Sequence, residues 1–238
     1  MKKNIQSLLF GVVMFLMTAF SALGDNLTVD SWLNVSSLFG GTARVSIDGS
    51  DFSSVNAGQL RATPTSGASW LTYCTDIGAH LSSGQFTPIP ILVAQGMPSW
   101  QTPDWAPGGL ERAVRVYFTF HDQVHNNAEA VALQVLVWES LYDESPSLSS
   151  GRFRASTHGM TEGAYGQVTS WIHSPEELAA AGDAAIWWGP STPQGDYRLA
   201  QGLVGNVAVV PEASAAKVLL GVFPVLGLAY WRRRIKGS

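Results

Sequence analysis

The sequence predicts an α+β fold, with short strands at both ends of one external domain and a helical block in its middle. A signal peptide precedes this domain and a transmembrane helix follows it. Three observations carry the prediction. Segments rich in β-branched and aromatic residues flank the central region, helical periodicity dominates its middle, and apolar runs with basic flanks occupy both termini of the 238 residues.

Taken in order, Lys2 and Lys3 precede an apolar stretch from Leu8 to Phe20, and Ala22-Leu23-Gly24 offers small residues for cleavage, so residues 1–24 read as a secretory signal peptide. Strands are expected near Leu27 to Ser36 and Ala43 to Ile47, followed by a Ser/Gly-rich stretch. A third strand runs from Trp70 to Ile77, with Leu71, Tyr73, Thr75 and Ile77 on one face and Trp70, Thr72, Cys74 and Asp76 on the other. Five prolines between Gly84 and Gly109 predict a long irregular loop. A helix is expected from about Leu110 to Asp122, its Leu110, Ala113, Val114 and Tyr117 sharing one side. The next spans Asn127 to Tyr142, with Asn126 as its cap and Glu129 as the reciprocal half of a capping box. A polar turn at Ser145 to Ser150 leads to a helix near Gly163 to His173, and Pro175 opens a short one capped by Ser174. Strands at Ala185 to Trp188 and Gly202 to Val210 end the domain.

The region from Asp25 to Val210 has 186 residues, enough for one domain with a sizeable core. It contains seven arginines, no lysine and seventeen acidic residues, a net charge of −10 against −4 for the whole chain. So acidic an exterior argues against nucleic acid and anionic lipid as partners. No heptads, Gly-rich phosphate loops or repeats are found, and nothing calls for a cofactor.

The chain has one cysteine, Cys74, so no internal disulfide forms. A lone thiol of this kind is a buried small hydrophobe, a nucleophile or a link to another chain. The helix from Asn127 supplies a second unusual residue. Gln134 has Ala130, Val131, Val137 and Trp138 as its helical neighbours, all apolar, which places its amide in a buried face. An amide buried without partners costs about 1–3 kcal/mol, so something specific is expected to bind it.

The segments Tyr73-Cys74-Thr75-Asp76 and Leu133-Gln134-Val135-Leu136-Val137-Trp138-Glu139 resemble those of the thioester domains of bacterial surface adhesins. The resemblance implies that Cys74 and Gln134 condense with loss of ammonia, Tyr73, Asp76, Trp138 and Glu139 being the supporting positions. It further implies single-use covalent attachment to an amine- or hydroxyl-bearing polymer rather than enzymatic turnover. The adhesin pattern often has Thr where this chain has Leu133, so a hydroxyl contact at that position is absent. The absence of lysine across the external region suits an activated acyl group, though a genome preferring arginine codons is the simpler explanation.

At the C-terminus, Val210-Pro211-Glu212 (the motif and linker, 207–212) is followed by an apolar segment at 213–231 and a basic tail at 232–238 that opens with Arg232-Arg233-Arg234. Val218 to Trp231 is uncharged, and Ala213 to Ala216 lengthens the run around Lys217 toward the roughly 20 residues a spanning helix needs. The layout resembles the PEP-CTERM sorting signal, with Ala213 in place of the second proline of its commonest form. The resemblance implies an exosortase-type processing enzyme as partner, inner-membrane anchoring before processing, and a final place at the cell surface or in an extracellular matrix. An ordinary tail anchor is the alternative for this segment. For the domain, the alternative is a non-covalent structural component of an exopolysaccharide or biofilm matrix.

Other constellations are weaker. His121, Asp122 and His125 have a spacing that suits metal ligation but read as a polar junction between helices. Cys74 with His80 would suit a secreted hydrolase, without a supporting signature. Glu139 and Asp143 read as a solvated helix edge, and Trp187-Trp188 as strand core or a sugar-stacking pair.

Overall fold

A computed structural model describes residues 25–65, 68–77, 84–90, 105–172, 178, 184–188 and 202–206. The signal peptide, the Pro175 helix, His80, the sorting motif, the transmembrane segment and Arg232 to Arg234 all lie outside them. No described helix is long and apolar enough to cross a membrane. Residues Asp25–Val207 form one compact unit.

Among the described residues, strands and helices both occur, as expected of an α+β chain. The strands are β1 (Asp25–Ser31), β2 (Gly40–Ile47), β3 (Ser53–Gly58), β4 (Leu60–Pro64), β5 (Trp70–Cys74), β6 (Gly84–Pro90), β7 (Phe153–Ala155), β8 (Ala184–Trp188) and β9 (Gly202–Asn206). The helices are α1 (Gly109–Phe120), α2 (Asn127–Tyr142) and α3 (Ala164–Trp171), with a 3-10 turn at His121–Gln123.

Six strands close an antiparallel barrel in the order β1-β4-β5-β9-β8-β6, and β3-β2-β7 form a separate sheet. The registers Val29↔Ala62, Leu60↔Thr72 and Cys74↔Leu203 assign these residues to one barrel face. Leu27, Leu60, Ala62, Thr72, Phe86 and Leu203 on that face are buried. The opposite face of the pair Tyr73↔Val204 joins the core formed by the helices. The alternation that strand geometry imposes sends Tyr73 into the helical core, and Cys74, at the end of β5, is half-buried and packs against the edge of that same core.

Helix α2 lies at the centre of the other core. Apolar residues surround it on every side, the pattern of a helix with no solvent face. It packs against α1, α3, β2, β3, β5 and β7. Asn126 caps it by accepting from Glu129 N at 3.0 Å, while the Glu129 carboxylate reaches one residue further back than a capping box predicts, to His125 N at 2.6 Å. Gly109 permits the close α1–α2 approach, since a Cβ there would lie 2.4 Å from Leu141 O.

Three sequence expectations are corrected. The Ser/Gly-rich stretch after Ile47 contains β3 and β4, because Asp48 and Gly49 take left-handed φ values of 51° and 76° and reverse the chain into a hairpin. The proline-rich region starts with a strand, β6. Its first half pairs with β1 and its second with β8, so Pro88 and Pro90 fall where one edge needs no ladder bond. Strand β7 follows the polar turn, drawn into the sheet by Asp143, whose carboxylate accepts from Arg152 N and Phe153 N, both at 2.8 Å.

Candidate functional site

Strand β4 begins at Leu60, opposite Thr72, because the preceding residues belong to the other sheet. The switch needs Gly58, with φ 151°, where a Cβ would lie 2.4 Å from Gly40 Cα. Alternate residues of β5 turn their backbone groups to opposite neighbours. Thr75 N donates to Gly202 O on the β9 side, so Cys74 turns its N–H and C=O to the side that β4 has left.

Gln134 fills this gap. Its Oε1 accepts from Cys74 N at 3.0 Å, and its Nε2 donates to Cys74 O at 2.8 Å. One side-chain amide therefore replaces the missing strand residue, donor for donor and acceptor for acceptor. At 1% exposure, Gln134 is as buried as its apolar neighbours require. The two residues that sequence reasoning singled out meet here, sixty positions apart in the chain.

Both bonds engage the Cys74 backbone, while its side chain packs half-buried against the helical core. Burial, and secondarily the charge of Asp76, push the Cys74 thiol up to about 12. It is a neutral thiol at physiological pH. Tyr73 is buried one residue earlier, its hydroxyl near Gln59 but outside good hydrogen-bond geometry, and burial raises its pKa. The Gln59 side-chain Oε1 instead accepts from Phe39 N at 3.0 Å, securing the junction between the sheets. Trp138, one turn beyond Gln134, is 2% exposed and packs in the helical core.

Glu139 departs from expectation. Rather than lining a solvated edge it is 1% exposed, with Oε1 accepting from Ser147 N at 2.6 Å. Burial, reinforced by Asp143 and opposed by Ser147 N–H and Arg112, lifts its carboxyl to about 8. The signal that identifies it is the one applied to Gln134, a polar residue inside an otherwise apolar helix. Arg112 of α1, which sequence reasoning passed over, donates to Pro107 O and Asp143 O at 2.7 and 2.8 Å.

His121 occupies the 3-10 turn, stacked on Tyr117 and 3.3 Å from Asp122, while His125 lies beyond the extended Val124. The two histidines therefore share no helical face. Among the described residues, no three His, Cys, Asp or Glu side chains gather in a way that holds a metal. Compared with known proteins, the chain matches no family model, no curated protein and no solved structure.

Proposed function

We propose that this is an exported surface or extracellular-matrix protein that attaches covalently to its target through a Cys74–Gln134 thioester. The observation that carries the reading is the pair of hydrogen bonds fixing the Gln134 amide against the backbone of the residue that bears the thiol.

The arrangement suits the chemistry. Attack of Sγ on Gln134 Cδ puts negative charge on Oε1, where Cys74 N–H already donates, an internal oxyanion hole. Strand side chains stand roughly perpendicular to the sheet, so bond formation requires the Cys74 side chain to turn toward the carboxamide carbon held beside its own backbone. The Sγ–Cδ bond forms as Cδ–Nε2 breaks, and the thiol proton leaves with the nitrogen as ammonia. An amine or hydroxyl on the target then displaces Sγ, giving an amide or ester and returning the thiol. Burial of Gln134 keeps water from the acyl carbon before a target arrives.

Export, exosortase-type processing and membrane anchoring rest on the terminal segments Lys2 to Gly24 and Val210 to Arg234. Intact mass of the purified protein tests the thioester: a deficit of one ammonia is expected, and methylamine should add covalently at Gln134. Full mass with a free thiol would overturn it.

A second reading, a non-covalent structural component of a matrix, draws on a different observation. The Gln134 amide already has both of its partners, and burial holds the thiol protonated. Under that reading the pair is a structural clamp, and Cys74→Ser leaves target attachment unchanged.

A further inference from the structure

Acidic residues outnumber arginines seventeen to seven in the external region, so a carboxylate is within easy reach of almost any guanidinium. Six of the arginines lie among the described residues. Arg61 and Arg152 pair with Asp30 and Asp48 at 3.0 and 2.7 Å. Arg112 and Arg115 donate to backbone carbonyls. The other two, Arg44 and Arg154, meet no carboxylate among the described residues, and both stand on the same face of the sheet β3-β2-β7.

Strand alternation puts them there. Ala43 and Val45 of β2, Ala57 of β3 and Phe153 and Ala155 of β7 point into the helical core, where α2 packs on the sheet. Arg44, Ser54, Asn56 and Arg154 take the opposite face, on which the first three are exposed. The register sets Arg44 opposite Ser54 and Arg154 opposite Ser46. Arg44 and Arg154 are thus diagonal neighbours, their Cβ atoms about 7–8 Å apart. Beyond Cβ the two side chains lean to opposite edges. Arg154 crosses β2, donating to Ser46 Oγ at 2.9 Å with its guanidinium 5.5 Å from the centre of the partly exposed Phe52 ring. Arg44 lies against Gly159, in the segment that continues β7 along β2.

Like charges on neighbouring strands repel, so the sheet gains from an anion laid across this pair. The two charges make a stripe across three strands, not one pincer, which suits a chain of spaced charges better than a single small anion. Beside the stripe, Ser54 and Asn56 present neutral donors and acceptors that match hydroxyls. Exposed Asp51 and Glu162 flank this face in sequence, and the net charge of −10 repels densely charged chains, within a screening length of about 10 Å. Sparse carboxylates set among hydroxyls meet all of these conditions. We infer that the outer face of β3-β2-β7 binds an acidic polysaccharide, with uronate carboxylates seated on Arg44 and Arg154. The binding is reversible and independent of thioester formation.

The test titrates full-length protein in detergent micelles with an octamer of galacturonate. Its fully methyl-esterified form is the neutral control, and an octamer of glutamate is the peptide control. Saturable binding of galacturonate, weaker binding of glutamate and none of the ester are expected. Release by ~0.5 M salt separates this contact from covalent attachment. Arg44→Gln, a change at an exposed position, should weaken binding about threefold, and adding Arg154→Gln should bring the loss to about tenfold. Arg61→Gln removes the same charge from the barrel and should leave binding unchanged. Equal binding of the ester, unchanged binding in Arg44→Gln, an equal loss in Arg61→Gln or an absence of saturation would each overturn the site. Glutamate bound as tightly as galacturonate would overturn it in favour of an acidic protein partner.

Discussion

Gln134 and Glu139 are near-isosteric side chains on the same buried helix, and the protein treats them very differently. Gln134 meets the bare edge of a strand, which offers one donor and one acceptor, and its amide answers both. Glu139 meets a single backbone N–H from Ser147, and half of its carboxylate is left over. An amide is self-complementary to a peptide group, whereas a carboxylate has no donor until it takes up a proton. One position is therefore a closed structural joint, and the other holds hydrogen-bonding capacity in reserve.

The largest effect expected from this contrast is on the pH dependence of stability. Glu139 has its folded pKa raised from 4.5 to about 8, so its contribution is fully present below pH 4.5 and is lost as pH rises through about 8. The change amounts to roughly 5 kcal/mol. Chemical denaturation between those limits should show the decline, and Glu139→Gln should flatten it; an unchanged slope would mean the carboxyl is solvated.

Next comes Gln134→Ala, which bares Cys74 N and O and opens a cavity, a loss of about 3 kcal/mol by the same measurement. Gln134→Glu sharpens the contrast, because it turns the joint into a second unsatisfied carboxylate. It should acquire a pH dependence of the same sign as that of Glu139. Asn126→Ala, on the same helix but outside both environments, removes one cap bond and should cost about 1 kcal/mol. Smallest is Asp48→Asn at the exposed ion pair with Arg152, about 0.5 kcal/mol. Were the cap to matter more than Gln134, the joint would be an ordinary surface-like bond.

Much of the helical layer was legible from residues alone. The run from Asn127 to Tyr142 announces itself through its cap and its unbroken apolar content, and the bounds agree with the structure. Gln134 was recognisable as a buried amide by the company it keeps. Strands β3 and β4 were not legible, because Ser53–Gly58 and Leu60–Pro64 have little intrinsic strand preference and form by pairing with distant partners. Strand β6 was obscured by Pro88 and Pro90, whose tolerance depends on which neighbour each half of the strand has. Glu139 misled for a related reason. A charge every few residues usually marks a wet face, and only the fold reveals that α2 has none.

The pairing of Tyr73 and Cys74 with Val204 and Leu203 has a temporal consequence. A nascent chain that has passed Tyr142 already holds everything the α1–α2 and β2–β3 contacts require. The outer edge of β5 must wait for residues made some sixty positions later still, and contacts so distant along the chain form slowly. Until that final strand arrives, the sulfhydryl sits on an unfinished sheet, open to any oxidant or electrophile in its surroundings. Closure of the barrel is then the event that retires it from indiscriminate chemistry.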